Sequence, residues 1–402
     1  FYMSREVMVL SGVRTAIGDY GGALKDIQPT VLASKVVREA VNRAQVDTSR
    51  VGHLVFGHVI HSEASDMYLS RVAAIQGGLP QSVAALSVNR LCGSGLQAII
   101  SAAQTILSGD TDIAIAGGVE SMSRAGYLLP ALRWGQRMRN SPAIDMMVGA
   151  LTDPFDQVHM GNTAENIAAK WNIGREKQDQ FALESHRRAT QAIRNGYFTS
   201  QILPIEISSR GKVVVFDTDE HPRDSIDSEK LSNLPSVFQE NGTVTAGNAS
   251  GINDGAAAVV LCDAAIAEKD HLQPIARLVA YGYAGVDPRY MGIGPVPAVH
   301  QALHRACLTI DDMDVIESNE AFAVQACAVA CELGFDPIKT NPNGGAVAFG
   351  HPIGATGCVL TIKALYELHR IKGRYALVTM CIGGGQGIAA IFERLPSFAQ
   401  LN

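Results

Sequence analysis

The sequence predicts an α/β protein of two similar halves, with a more polar segment inserted into the first, and three observations carry that prediction. Short apolar runs alternate with helix-length amphipathic stretches from Val7 to Gly118, and the same rhythm returns after Ser250. Between Ser121 and Ser250 the chain is more polar, richer in turn signals, and holds both tryptophans, Trp134 and Trp171. In each half a glycine-bounded reactive residue opens a long apolar helix that leads to a strand and a glycine cluster: Cys92 to Gly117-Gly118, and His351 to Gly383-Gly384-Gly385.

In order, the first half reads as strand Val7–Leu10, helix Thr30–Ala44, strand Val51–Ile60, helix Met67–Gln76, a short buried strand Ala84–Val88, helix Leu96–Leu107 and strand Asp112–Ala116. Such a βαβ series predicts a mostly parallel sheet with helices on both faces and chemistry at the carboxyl ends of strands. The inserted segment carries helices at Thr163–Trp171 and Arg175–Gly196, then a long polar connection from Phe216 to Pro235. Gly255–Leu261 completes the first sheet. The second half reads as strands Ile275–Tyr283, Val315–Glu317, Ala346–Ala348, Ala376–Met380 and Ile388–Phe392, with helices Pro297–Cys307, Ala321–Leu333 and Pro352–Leu368 between them. The expected domains are 3–121 with 251–273, the insertion 122–250, and 274–395.

Composition narrows the class. A formal net charge of −6 with no strongly basic half argues against nucleic acid or a charged membrane surface as partner. Seven cysteines without CxxC pairs fit free thiols in a reducing compartment better than a disulfide framework. No secretory signal, unbroken bilayer-length apolar run or peroxisomal tripeptide is read, so the cytoplasm is the expected location. Phe1 and Tyr2, ahead of Met3, are set aside.

The chemistry centres on Asn89-Arg90-Leu91-Cys92-Gly93-Ser94-Gly95, which puts Cys92 at a strand-to-helix turn. Free backbone N–H groups and the helix dipole there favour a thiolate and any oxyanion beside it. Alone, Cys92 could equally be a small buried hydrophobe. Three further sites lie at strand ends: Asn319-Glu320, Gly350-His351-Pro352, and Cys381 followed by Gly383. Together they supply two thiols, an imidazole and an amide, enough for a nucleophile, proton transfers and an oxyanion site. Other constellations are weaker. His53, His58 and His61 flank an apolar strand with alternating sides, which disfavours a metal site. His300 and His304 read as exposed helix, and Cys327 and Cys331 as core. Gly383 to Gly387 lacks the spacing of a dinucleotide fingerprint.

Six motifs stand in order over nearly the whole chain: the Cys92 stretch, Gly117–Ser123, Thr245–Gly251, Asn319–Phe322, Gly350–Gly354 and Cys381–Gly387. Together they resemble the thiolase family, with a texture nearest the bacterial biosynthetic β-ketothiolases. The resemblance implies a layered α/β/α/β/α core of two βαβαβ half-domains with an inserted loop domain. It implies reversible condensation of two acetyl-CoA to acetoacetyl-CoA and CoA, or thiolysis of this and longer 3-ketoacyl-CoA thioesters. Cys92 would take the acetyl group, His351 its proton, and Cys381 would act as the carbon base. Asn319 would hold a water, and the N–H groups of Cys92 and Gly383 would form an oxyanion hole. Coenzyme A would lie along His159, Met160, Ala246, Gly247, Ser250, Met291, Ala321 and Phe322, with Arg223 at its nucleotide end. No metal or redox cofactor is implied, CoA thioesters being substrates. A homotetramer is implied, and the arginine and aromatic mixture of Arg124–Asn140 suits its contact. Gly126 stands where the family pattern favours proline, and the segment Phe216–Phe238 departs from the family's texture. A thiolase-like protein that binds acyl-CoA or lipid without turnover is the alternative. It would be expected to lack one of Cys92, Asn319, His351 or Cys381, and all four are present.

Overall fold

The computed structural model describes residues 5–209 and 211–396; Met3, the start of the first half by sequence, and the tail Ala399–Asn402 lie outside them. Nine strands form one path. They are β1 (Val7–Arg14), β2 (His53–Gly57), β3 (Ala84–Val88), β4 (Ile113–Ser121), β5 (Asn253–Asp263), β6 (Ala276–Gly285), β7 (Val315–Ser318), β8 (Tyr375–Ile382) and β9 (Gln386–Arg394). Their spatial order is β7-β8-β9-β6-β1-β5-β4-β2-β3, and Gly18–Asp19 adds a short strand beside β5.

The repeat seen in the sequence is present in this order. The first half runs β3-β2-β4-β5-β1 and the second runs β7-β8-β9-β6, with Thr340 bridging to Ile316 where the first half has β3. Within the sheet, among the described residues, the halves are paired at only two positions, Met8 with Arg277 and Val9 with Ala276.

The sheet is not mostly parallel, as the βαβ rhythm led one to expect. Only β2–β3, β2–β4 and β7–β8 are parallel; β1–β5, β1–β6, β4–β5, β6–β9 and β8–β9 are antiparallel. The reason is local for β8 and β9: Gly383–Gly385 closes a hairpin, with Gly384 and Gly385 at positive φ, and a hairpin can only pair antiparallel.

Helices α1 (Pro29–Ala44) and α2 (Leu69–Gln76) pack on the first half, and α3 (Ser94–Ser108) opens behind Cys92. The insertion contributes α4 (Met146–Ala150), α5 (Met160–Trp171), α6 (Arg175–Arg194) and α7 (Ser228–Ser232), the last within the expected polar connection. The second half adds α8 (Pro295–Ala306), α9 (Ala323–Leu333), α10 (Ala346–Phe349) and α11 (Ile353–Arg370).

The two helices that start at Cys92 and His351, α3 and α11, pack on each other in the middle of the molecule. They approach closely enough that a Cβ on Gly95 would sit 2.7 Å from the Cys358 amide nitrogen and one on Gly357 2.2 Å from that of Leu96. Glycine is required at both positions for backbone to meet backbone. Leu91–Ser108 is long and apolar enough by length and composition to cross a membrane, although polar residues interrupt it; here it runs from the Cys92 turn into the central helix α3.

Three other expectations change. The expected strand Ala346–Ala348 is helix α10, because the buried Glu320 carboxylate accepts the Val347 N–H at 3.1 Å and Thr340 takes the ladder position. The strand β3 is an exposed edge rather than a buried strand, with Leu86 45% accessible. Cys331 is exposed although Cys327 is buried, since a four-residue step on α9 crosses the rim of its buried face.

Candidate active site

The turn that carries Cys92 is strained and tied down. Leu91 has φ +45°, in the left-handed region that costs a branched residue energy. Its N–H donates to Asn89 Oδ1 at 2.9 Å, and Ser94 Oγ both accepts from the Arg90 N–H at 2.8 Å and donates to Leu91 O at 2.7 Å. Asn89 and Ser94 of the motif therefore hold the turn that presents the thiol, while Gly93 lies so near Ile382 that a Cβ would be 2.7 Å from its Cδ1.

His351 sits at the matching turn of the second half. Gly350, with φ +93°, leaves space that Asn253 fills, and Asn253 Oδ1 accepts the His351 N–H at 3.0 Å. Thr356 Oγ1 donates to Pro352 O at 2.9 Å, so it can only accept from the ring, and His351 Nδ1–H donates to it at 2.6 Å. Nε2 is thereby left unprotonated, and the Asn319 side-chain amide faces it at 3.4 Å. Burial holds the imidazole down to about 4, so it is a neutral base. Replacing Thr356 with Val frees the tautomer. Acetyl transfer is expected to slow by at least about tenfold, part of what a positioned base supplies, with little change in KM, as measured by single-turnover acetylation.

Glu120, buried on β4, accepts from the N–H groups of Ile60 at 3.0 Å and Gly354 at 2.9 Å and lies 3.3 Å from His58. It ties the end of β2 to the start of α11. His58 is thus a buried partner of Glu120 and Asp66, and no group of metal-ligating side chains occurs among the described residues.

The thiolate expected at the helix start is not the resting form of Cys92. Enclosure pushes its thiol up to about 11, although the Gly383 N–H and its own N–H both point at the sulfur and pull the other way. Cys381 is raised further by complete burial and by the nearby Cys92. It lies inside β8 rather than just past its end. With a neutral imidazole and a neutral thiol, acylation of Cys92 by a thioester is expected to be flat between about pH 5 and about pH 9, as a pH–rate profile of single-turnover acylation would show.

A cavity of about 500 Å³ gathers these groups. Cys92, His351, Cys381 and Gly383 line it, as do His159, Met160, Arg223, Ala246, Ser250, Met291, Ala321 and Phe322. Two of the expected residues are not in the lining. Asn319, fully buried, stands behind His351, and its Oδ1 takes no hydrogen bond among the described residues. Gly247 faces Leu231 and Leu234 near α7.

His159 caps α5 by accepting the Gly161 N–H at 3.0 Å, and its ring stacks on Phe238 with centroids 4.6 Å apart. Arg223 reaches the mouth, its backbone N–H donating to His186 Nδ1 at 3.1 Å beside the paired Asp19 and His221. The sequence missed Thr356, Asn253, Phe238 and Leu151. Thr356, one helical turn into α11, was discoverable from spacing; Asn253 and Leu151 reach the site only through the fold.

A thiol on a strand-to-helix turn, a neutral imidazole and a second thiol around one apolar cavity equip an enzyme of acyl transfer. Residues 7–265 match the family model for the thiolase N-terminal domain and residues 272–394 that for the thiolase C-terminal domain, so the chain belongs to the thiolase family. It is 64% identical to beta-ketothiolase BktB of Cupriavidus necator, over 98% of this chain and 100% of that one. A crystal structure of the Bacillus anthracis acetyl-CoA acetyltransferase superposes with a TM-score of 0.96 at 45% identity, covering 98% of this chain and 99% of the other. Human mitochondrial 3-ketoacyl-CoA thiolase in complex with CoA superposes with 0.94 at 42%, covering 97% and 98%.

Proposed function

We propose that this thiolase is an acetyl-CoA C-acetyltransferase, condensing two acetyl-CoA to acetoacetyl-CoA and CoA and running the reverse thiolysis. The observation that carries the reading is the meeting of two thiols and one neutral imidazole in a single cavity. Cys92 Sγ attacks the thioester carbonyl while His351 Nε2 takes its proton. The oxyanion is held by the N–H groups of Cys92 and Gly383, which already point at the sulfur. The leaving CoA thiolate takes the proton of Cys381. The Cys381 thiolate then removes an α-proton from the second acetyl-CoA. The resulting enolate, stabilised by His351 and a water on Asn319, attacks the acetyl group, and Cys92 leaves to recover its proton from His351.

A non-catalytic acyl-CoA or lipid binder is disfavoured, since all four reactive side chains lie in or against the cavity. CoA-dependent loss of acetoacetyl-CoA, with two acetyl-CoA formed for each one consumed, tests the activity. CoA binding without turnover would sink it.

For the substrate's long arm, His159, Met160, Met291 and Phe322 offer an apolar wall to pantetheine, and Arg223 stands at the mouth to meet phosphate. Free thiols suit a reducing compartment, as expected for the cytoplasm.

A homotetramer is the proposed assembly. The ribbon Tyr127–Leu128 with Ile144–Asp145 projects a tip whose Trp134 is 90% and Met138 82% accessible, and the open edge of β3 offers a second copy a strand to pair with. Light scattering at micromolar concentration is expected to give four chains; the mass of one chain would refute it.

A further inference from the structure

The side chain of Asn319 is weakly tethered. Its amide meets His351 Nε2 at 3.4 Å, and its Oδ1 has no partner among the described residues. Its place is therefore set by its backbone, which continues β7: the Asn319 N–H donates to Thr379 O at 2.9 Å. His351 is held independently, by Asn253 at its N–H and by Thr356 at its ring. On the far side of Asn319, Glu320 is fixed three ways, by Ser185 Oγ at 2.7 Å, Asn341 Nδ2 at 2.8 Å and the Val347 N–H at 3.1 Å.

The near side depends on one partner. Glu317 and Asn319, two apart along an extended chain, face the same way. Asn319 meets His351 just before the start of α11, and Glu317 meets Lys363 further along it. Lys363 Nζ donates to Glu317 Oε2 at 2.9 Å and to Gly344 O at 2.7 Å, and lies 5.0 Å from the centre of the Phe349 ring. Both side chains are enclosed, at 3% and 0% exposure, and Glu317 has no other hydrogen-bond partner among the described residues. One ammonium thus joins β7, the loop at Gly344, α10 and α11. Thr356, which orients His351, lies two turns before Lys363 on the same face of α11, and both border one small space against α10.

We propose that the buried Lys363–Glu317 pair is a positioning device for Asn319: it fixes the amide against His351, and with it the water that serves the enolate, and takes no part in acylating Cys92. Hydrocarbon of the same volume would hold the fold as well as a buried ion pair does. What the pair adds is direction, since a short charge-assisted hydrogen bond sets where β7 stands along α11.

The inference rests on the proposed acetyl-CoA chemistry, and the experiment tells the two apart. Two rates are followed: labelling of Cys92 by radiolabelled acetyl-CoA, which uses His351, and entry of solvent deuterium into the methyl group of acetyl-CoA, which uses His351 and Asn319 together. In Lys363→Met, exchange and condensation are expected to fall about ten- to a hundredfold, the scale of a displacement of about 1 Å at a reacting group, while labelling stays within about twofold and KM for acetyl-CoA is unchanged. Glu317→Gln keeps an oxygen for Lys363 and is expected to stay within about threefold in both rates. Since Lys363→Met leaves a carboxylate buried and unpaired, a second variant combines it with Glu317→Leu, which turns the pair into hydrocarbon. This double variant is expected to melt near the wild type and to show the same selective loss of exchange. Wild-type exchange in the double variant, or equal falls in labelling and exchange, would overturn the positioning role and leave the activity standing. So would a double variant that fails to fold, since the pair would then serve the fold. A wild type that neither labels nor exchanges would overturn the activity and the positioning role together.

Discussion

Cys92→Ser is expected to retain no acetyl group. Wild-type protein incubated with radiolabelled acetyl-CoA and then denatured should keep one label per chain on Cys92, and the variant should lose at least about a thousandfold in labelling rate. The physical reason lies in the weak base. Burial holds His351 down to about 4, so it can relieve a thiol as the S–C bond forms but is poorly matched to a hydroxyl. The turn survives the change, because its hydrogen bonds come from Asn89 and Ser94 and not from the sulfur. Circular dichroism and thermal melting should therefore match the wild type. Stable labelling of another cysteine in the variant would show that Cys92 is not the acyl carrier.

Cys381→Ala separates the two half-reactions. Acetylation of Cys92 would require His351 and the N–H groups of Cys92 and Gly383, which removing a thiol inside β8 leaves in place, and the departing CoA thiolate, a stable leaving group, can take from water the proton that Cys381 supplies in the wild type. Condensation requires a base for the α-proton, so the variant should still carry the label yet lose condensation by about 10²–10⁴, the range a positioned base supplies. Solvent deuterium should enter the methyl group of acetyl-CoA with the wild type and not with the variant. Wild-type exchange in Cys381→Ala would assign the carbon base to another group.

The active-site motifs were legible because each is a local device. Gly350 must be glycine for its φ and for Asn253. Gly93 must be small for Ile382, and Gly384 and Gly385 are needed to turn β8 into β9. Such requirements leave their mark in adjacent residues, so the pairing of Cys92 with His351 as equivalent turns could be read from a repeat in the chain. The rhythm of strands and helices was legible for the same reason, but strand direction was not. A helix between two strands suggests parallel neighbours, whereas β5 returns to β4 across the whole insertion and lies antiparallel to it. Nothing near Asn253 records that partner. The edge position of β3 was also hidden, since an apolar run reads alike whether the protein or a second copy covers it.

By itself, then, the chain determined its family, its two-halved plan and which four polar side chains meet at the site, because these depend on residue type and short spacing. The state of those side chains was decided only by tertiary structure. A helix start and nearby N–H groups argue for a thiolate at Cys92, but enclosure by both halves outweighs them and leaves the thiol neutral. The same enclosure keeps His351 uncharged, and a threonine one turn along α11 settles which nitrogen is free. Desolvation is a sum over everything packed around a group. No stretch of sequence contains that sum, because around Cys92 alone its parts come from residues as far apart as Ile60, Met122, Leu151 and Ile353.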